Sequence, residues 1–162
     1  MIFSNPSEYA IRALSEMAVQ LHDPEATKGR RPGYIMLDRL TESASLPREF
    51  LAKIFRQLVE ARVLKSAKGP GGGFSFARPP AEISLLDIVE AVDGHDMTDI
   101  CVVGLSRCDD SVACAQHELF KPIRQQLKGY LTNTTLADTS AALIEKKNNP
   151  PKVEAKPTKG GK

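Results

Sequence analysis

The cysteines of this chain all lie within one short stretch, CVVGLSRCDDSVACAQH. Cys101, Cys108 and Cys114 follow the spacing C-x6-C-x5-C, and His117 stands three residues after the last of them. Charged and hydroxyl residues lie between these cysteines, whereas a cysteine of a hydrophobic core is expected among periodic apolar residues. Three thiols in one polar segment indicate a metal site rather than structural disulfides, with inert free thiols as the alternative.

The width of the gaps favours an iron–sulfur cluster over a single metal ion. Zinc sites usually contain a close pair of the form C-x2-4-C, so a Cys3His zinc site is the less expected alternative. A cluster contains more than one iron, and histidine can replace cysteine as a ligand of one iron. We predict His117 as the fourth ligand, with Glu8, contributed by a partner subunit, as the second candidate. The expected role of Glu8 within its own chain is to cap the first helix.

The glycine run of KSAKGPGGGFSFARPP, residues 65–80, is the second stretch with a possible chemical role. A nucleotide-phosphate loop requires a helix after its glycines, and the P-loop form ends in Lys-Ser or Lys-Thr. Here Phe74 and Phe76 alternate with smaller residues, which is the period of a strand, and Pro79 ends it. The run therefore predicts the turn of a β-hairpin, and we expect no nucleotide cofactor.

The elements before the glycine run predict a helix–turn–helix. A first helix has Asn5 as its cap, a short second helix lies within YIMLDRLTESASL, and a third spans residues 47–62 with Ser45 as its cap. A glycine-rich hairpin directly after such helices is typical of the wing of a winged helix. The expected fold class is therefore mainly α with a small β-hairpin.

The third helix and the hairpin carry the residues expected to contact DNA. Residues near the N-terminus of a recognition helix reach base edges, which singles out Arg48 and Glu49. Contacts to phosphate are expected from the remaining cations of this region, Lys53, Arg56, Lys65 and Lys68. Glycines let the backbone approach DNA closely, and the expected positions are Gly71 and Gly72.

The second half of the chain is expected to be helical on both sides of the cysteines. ISLLDIVEAVDG predicts a helix capped by Ser84. HELFKPIRQQLKGYLTN predicts an amphipathic helix that Pro122 kinks or divides. Thr135 and Asp138 form a capping box for the last helix, and the Lys-rich segment from Asn148 onward is expected to be disordered.

Composition and charge limit the location and the partners of the protein. The net charge of +2 hides a basic first segment, an acidic middle segment and a basic end. A basic first segment suits a polyanion such as DNA. The chain has no apolar run of about 18 residues and no signal-peptide pattern, so we expect a cytoplasmic protein without a membrane partner.

With these motifs, residues 1–140 resemble the IscR/NsrR-type bacterial transcription regulators of the Rrf-two superfamily. The resemblance rests on YAIRAL, FLAKIFRQLVEARVLKSAKGPGGGF, LLDIVEAVDG, the spaced cysteines and TLAD. It implies a winged helix–turn–helix homodimer, joined by the long helix after the cysteines, with a cluster that senses iron, oxidants or nitric oxide. It places the cluster on Cys101, Cys108 and Cys114. His117 then matches the ligand of a 2Fe–2S site, which we favour, and Glu8 that of a 4Fe–4S site.

The chain departs from the family pattern in two places. The loop TKGRRPGYI before the second helix is longer and more basic than is typical, and Pro122 interrupts the expected dimerisation helix. We divide the chain into a winged helix–turn–helix domain (residues 1–94), a cluster-binding loop (95–117), dimerisation helices (118–147) and a disordered tail (148–162).

We expect a repressor, not an enzyme, whose affinity for a palindromic double-stranded operator depends on a labile cluster. Two alternatives stay open. The first is a cluster-free winged-helix regulator that uses its cysteines for zinc or thiol oxidation. The second is an iron–sulfur electron-transfer or enzyme-accessory protein, which would have no use for a basic helix and wing.

Overall fold

The computed structural model describes residues 3–29, 31–94, 101–105, 108, 110–111 and 114–150. This part of the chain consists of helices and one two-stranded antiparallel hairpin, which confirms the expected fold class. The elements in chain order are α1 (Asn5–Leu21), α2 (Pro24–Thr27), α3 (Leu37–Ala44), α4 (Arg48–Glu60), β1 (Leu64–Ala67), β2 (Gly73–Phe76), a 3-10 turn (Pro80–Glu82), α5 (Leu85–Asp93), α6 (His117–Asn133) and α7 (Leu136–Asn148). None of these helices is long and apolar enough to cross a membrane.

Ser4, rather than Asn5, caps the first helix. Its hydroxyl oxygen accepts a hydrogen bond from the backbone N–H of Ser7 at 3.2 Å and donates one to the carboxylate of Asp93 at the end of α5. The residue three positions beyond the cap is therefore Ser7. The predicted capping role of Glu8 is wrong, because the helix starts one residue earlier than the sequence suggested.

The turn between α3 and α4 depends on a left-handed residue. Ser45 has φ 53° and ψ 50°, and the N–H groups of Ser45 and Leu46 return to the carbonyls of Glu42 and Thr41. This is the usual way for a helix to satisfy its last carbonyls. Ser45 thus ends α3 and does not cap α4 as predicted; α4 begins at Arg48, after Pro47.

A similar ending directs the chain from α4 into the hairpin, which we call the wing. Arg62 has φ 58°, and the N–H of Val63 donates to the carbonyl of Leu58 at 2.9 Å. β1 and β2 then pair in antiparallel register, and the Phe74 ring packs edge-on against Phe55 of α4 with centroids 4.9 Å apart. Helix α4 and the wing are therefore held together as one unit.

One hydrophobic core joins the helices. Its fully buried members come from several elements: Ala10, Ala13, Leu14 and Met17 from α1, Ile54, Phe55 and Leu58 from α4, Ile88 and Val89 from α5, and Leu131 and Leu136 from α6 and α7. Burial of each large side chain stabilises the fold by about 1.5–3 kcal/mol. The helical period of the apolar residues in α4 predicts that Phe50 is buried with Leu51, Ile54, Phe55 and Leu58, but Phe50 is 38% exposed and packs edge-on against Tyr9.

α6 continues through its proline. Pro122 lies inside the helix, so the predicted division of this segment is wrong. Proline has no backbone N–H, so it makes no hydrogen bond to the carbonyl of Glu118. Leu131 is buried, but Leu119, Ile123 and Tyr130 are 70%, 55% and 53% exposed. These three residues form an unpartnered apolar stripe along one side of α6.

Capping boxes begin the two helices on either side of α6. Ser84 with Asp87 caps α5, and Thr135 with Asp138 caps α7, as the sequence predicted. α7 packs along α1, with an ion pair of 2.7 Å between Lys147 and Glu16. The predicted domain boundaries stay a prediction. The predicted tail begins at Asn148, which is instead the last residue of α7, and the part of the tail after Pro150 lies outside the described residues.

Candidate metal centre and nucleic-acid interface

The three cysteine thiols converge on Cys101. Cys101 is 3% exposed, whereas Cys108 and Cys114 are half-buried. A hydrogen bond from the backbone N–H of Val103 lowers the pKa of the Cys101 thiol, against the opposing effect of burial. The N–H of Leu105 and the thiols of Cys108 and Cys114 lower it further. The thiolate is the form that binds metals, so a lowered pKa favours metal binding by Cys101.

Chain geometry explains the donors to Cys101. The segment turns back on itself directly after the cysteine, with the N–H of Gly104 donating to the carbonyl of Cys101 at 2.9 Å. Gly104 has φ 77°, a conformation that glycine adopts without strain. The turn presents the N–H groups of Val103 and Leu105 to the sulfur atom, and hydrogen bonds to sulfur are also found in iron–sulfur sites.

His117 joins the thiols from the first residue of α6. It is 8% exposed, and its backbone N–H donates to the carbonyl of Cys114 at 3.2 Å. Its Nδ1 lies 3.5 Å from Sγ of Cys108, while its Nε2 lies 2.9 Å from Oδ1 of Asp110. When the carboxylate accepts a hydrogen bond from the N–H of Nε2, the lone pair of Nδ1 is directed at Cys108, as in many metal-binding histidines.

Asp110 is the carboxylate that orients this imidazole. A hydrogen bond from Lys121, with a smaller one from His117, holds the pKa of Asp110 below its usual value. Lys121 Nζ lies 2.9 Å from the same oxygen, and that contact raises the pKa of Lys121. Asp110, His117 and Glu118 place one ligand atom each within 4.8 Å of one another. Asp110 was not among the residues predicted from the sequence. The spacing of His117 and Lys121 places both on one face of the helix, and this was the available sign that a carboxylate could bind there.

Arg124 contacts the candidate metal centre from the next turn of α6. Its guanidinium donates a hydrogen bond to Sγ of Cys108 and lies 5.6 Å from the centre of the Phe120 ring. Its Nε is buried and has no partner in the described part of the chain. A cleft of about 280 Å³ opens beside these groups, lined by Cys108, Asp110, His117, Lys121, Arg124, Gln125 and Lys128.

Glu8 is not a member of the group of candidate ligands around His117. It is in the first turn of α1, and the cluster of candidate ligands that includes His117 contains Asp110 and Glu118 instead. The structure of one chain therefore brings together the cysteines and the first candidate for the fourth ligand. It gives Glu8 no such position.

The second candidate surface consists of α4 and the wing. All the cations predicted to contact DNA are exposed, and Arg48 forms an ion pair with Asp38 of α3. The two side chains of this pair are 64% and 50% exposed, so the pair stabilises the fold little and can be exchanged for another partner. Lys53 and Arg56 are one turn apart on the same helix.

The wing turn needs its glycines for two different reasons. Gly71 has φ 71°, a left-handed conformation that glycine adopts without strain. A Cβ at Gly72 would lie 2.3 Å from the carbonyl oxygen of Ala67 on the facing strand. β2 follows the turn directly, so no helix N-terminus meets the glycines as a nucleotide loop would require.

The sequence profile of the Rrf2 family, described as iron-dependent transcriptional regulators, matches residues 3–142. This protein belongs to the Rrf2 family. The sequence motifs predicted a member of this family with a winged-helix fold, and both predictions are confirmed.

Named relatives of this Rrf2 protein are transcriptional regulators. A protein of Aquifex aeolicus named as an HTH-type transcriptional regulator is 29% identical over 140 residues, 85% of this chain and 90% of that protein. The HTH-type transcriptional regulator IscR of Serratia proteamaculans is 27% identical, over 85% of this chain and 78% of that one. The structure of CymR, the global cysteine regulator of B. subtilis, aligns with a TM-score of 0.67 at 22% identity, covering 86% of this chain and 96% of CymR.

Proposed function

We propose that this Rrf2 protein is a homodimeric repressor whose affinity for double-stranded DNA is controlled by an iron–sulfur cluster. The cluster ligands are Cys101, Cys108, Cys114 and His117. The observation that carries this proposal is the convergence of the thiols on Cys101, with Nδ1 of His117 directed at Cys108. When bound, such a cluster supplies a group that reacts with oxidants and nitric oxide and responds to the supply of iron.

The donor set suits a 2Fe–2S cluster. Three sulfurs and one imidazole nitrogen can be divided between two irons, with histidine in the place of a cysteine on one of them. Asp110 holds the other ring nitrogen of His117, so the imidazole is oriented before any metal arrives. The alternative, a 4Fe–4S cluster with Glu8 from a second subunit, has less support because Nδ1 of His117 already lies 3.5 Å from Sγ of Cys108 within one chain.

Contacts between the cysteine loop and α6 connect the metal centre to the rest of the fold. Lys121 reaches Asp110 and Arg124 reaches Cys108, so ligation at Cys108 changes what Arg124 can contact. α6 packs against α5, and α5 packs against α4. A shift of α6 is therefore passed to the recognition helix through two packed interfaces.

The apolar stripe of α6 supports a homodimer. Leu119, Ile123 and Tyr130 are more than half exposed and lie on one side of a helix, where a second copy can bury them symmetrically. Paired α6 helices would fix the spacing of two recognition helices, which then read a palindrome. A DNA-binding role places the protein in the cytoplasm and gives it no need of catalysis.

Substitutions of the wing lysines test the DNA-binding half of the proposal. A bound sequence is first selected from a random duplex pool, and affinities for it and for a random duplex are measured by fluorescence anisotropy over a range of salt concentrations. Lys65→Ala and Lys68→Ala are each expected to weaken binding to both duplexes similarly. The slope of log K against log salt is expected to fall by about one unit. A change of preferred base with an unchanged slope would place these lysines in a groove instead.

A cluster-free thiol sensor is the second candidate function. The lowered pKa of Cys101 favours it, because a thiolate is the reactive form toward oxidants. The fold neighbour CymR carries the name of a cysteine regulator. Protein purified without oxygen decides between the two: the cluster proposal requires coloured protein with iron and sulfide, and the thiol sensor requires colourless protein whose DNA affinity changes on oxidation.

A further inference from the structure

We propose that Arg31, in the long basic loop before α3, is a further DNA-backbone contact that extends the wing beyond its own hairpin. The loop comprises residues 28–34, of which position 30 lies outside the described part. This inference rests on the proposed function, since it needs the wing to face DNA. It assigns a binding role to a segment in which the chain departs from the pattern of the family it resembles.

Backbone hydrogen bonds attach this loop to the wing. The N–H of Arg31 donates to the carbonyl of Gly71 at the wing tip at 3.3 Å. Further along, Ile35 and Phe74 exchange two hydrogen bonds of 2.9 Å each, which form a single antiparallel bridge between the loop and β2. Arg31 therefore lies at the same end of the wing as the glycines that approach DNA.

Close packing makes this attachment specific. A Cβ at Gly73 would lie 2.3 Å from the carbonyl oxygen of Ile35, so only glycine lets the loop approach the strand this closely. Gly33 has φ 77°, which turns the chain between the tip and the Ile35 bridge. The position of the loop is thus determined by the backbone, independently of its charged side chains.

The exposure and orientation of the Arg31 side chain suit it to bind a phosphate group. Its side chain is exposed, and its guanidinium lies 5.6 Å from the centre of the Tyr34 ring. Stacking on an aromatic face restricts the arginine while leaving its N–H donors available. Within the described residues no carboxylate pairs with it, whereas Lys28 in the same loop forms a 3.2 Å ion pair with Glu25.

The test compares cations at three places. Arg31→Ala, Arg31→Lys, Lys28→Ala and Lys146→Ala are made in the full chain, and binding to the selected operator and to a random duplex of equal length is measured over a salt series. Lys146 is exposed on α7, away from the wing, and controls for the loss of one charge. Thermal unfolding of each variant controls for folding.

Arg31→Ala is expected to weaken binding to both duplexes by about 3- to 10-fold and to reduce the salt slope by about 0.9. Arg31→Lys is expected to keep most of the slope, and Lys146→Ala and Lys28→Ala to change affinity by less than about two-fold. Equal binding by Arg31→Ala and wild type, or an equal loss in Lys146→Ala, would overturn the assignment. A loss confined to the operator would indicate a base contact and also contradict it. Wild-type protein that binds neither duplex would refute the proposed function itself.

Discussion

The guanidinium of Arg124 donates a hydrogen bond to the thiol of Cys108, joining the middle of α6 to the cysteine loop. The two residues are 16 positions apart in the sequence, so the contact attaches the loop to the second turn of the helix. Arg124 is therefore placed to report the state of Cys108 to α6.

Arg124→Ala is expected to uncouple DNA binding from the metal centre while leaving the centre in place. Iron and sulfide per chain should stay at the wild-type level, because the four proposed ligands are intact. The ratio of DNA affinities between the metal-loaded and metal-free forms should fall by at least about 3-fold, within the range of ordinary allosteric couplings. Gln125→Ala, at the neighbouring position, is the control and should keep the wild-type ratio. An unchanged ratio in Arg124→Ala would mean that this contact does not transmit the signal.

His117 and Glu8 are distinguished by their surroundings. His117→Ala and Asp110→Asn are each expected to weaken iron retention, by about 10- to 100-fold for the orienting carboxylate. Glu8→Ala should leave retention unchanged. Iron release to a chelator under anaerobic conditions measures all three. Loss of the cluster in Glu8→Ala with full retention in His117→Ala would reverse the assignment and favour a 4Fe–4S site shared between subunits.

Local features of the fold were predictable from sequence, and features set by distant contacts were not. The capping boxes of α5 and α7 each lie within four residues and were identified from sequence alone. Ser4 and Asn5 are equally good caps locally, and the choice is associated with a bond from Ser4 to Asp93, 89 positions away. Ser45 has a good capping side chain, but its left-handed backbone is imposed by the turn between α3 and α4.

The same distinction applies to the candidate metal centre. Cysteine spacing indicated the ligands, because ligand type and sequence proximity are visible in the chain. The roles of Asp110, Lys121 and Arg124 depend on how α6 folds back along the loop, which spacing alone does not specify. A local pattern can also mislead. The periodic position of Phe50 predicted burial, but the surrounding residues leave this side chain partly exposed.

Replacing Gly71 and replacing Gly72 should affect the structure of the wing differently. Gly72→Val places Cβ against the backbone of Ala67 and is expected to disrupt the hairpin, while Gly71→Val strains one left-handed residue by about 1–2 kcal/mol. Both variants should lose DNA affinity more than stability, because the helical core does not include the tip. Thermal unfolding and DNA anisotropy on the two variants test this. ATP or NAD binding by the wild type that disappears in the variants would instead support a phosphate-binding loop.

Asp87 should contribute to the acid sensitivity of the protein. Partial burial raises the pKa of its carboxyl, but hydrogen bonds from the backbone and hydroxyl of Ser84 and from Arg78 outweigh this, and the net pKa is lowered. A lowered pKa means that the stabilisation is present above the unfolded-state value of about 3.9 and is lost as the pH falls through the folded-state value. Urea unfolding of Asp87→Asn should show lower stability than wild type at pH 7 and a smaller further loss below about pH 4. Glu82→Gln serves as the control, and parallel pH profiles for Asp87→Asn and wild type would contradict the capping account.

The cysteine assignment is tested most directly by the iron and acid-labile sulfide content of anaerobically purified protein. Wild type should be coloured and contain iron and sulfide in equal amounts. Cys101→Ala, Cys108→Ala and Cys114→Ala should each be folded and lack both, although Cys101→Ala loses some stability because that side chain is buried. Wild-type protein without iron and sulfide, or full retention of both in all three variants, would contradict the assignment.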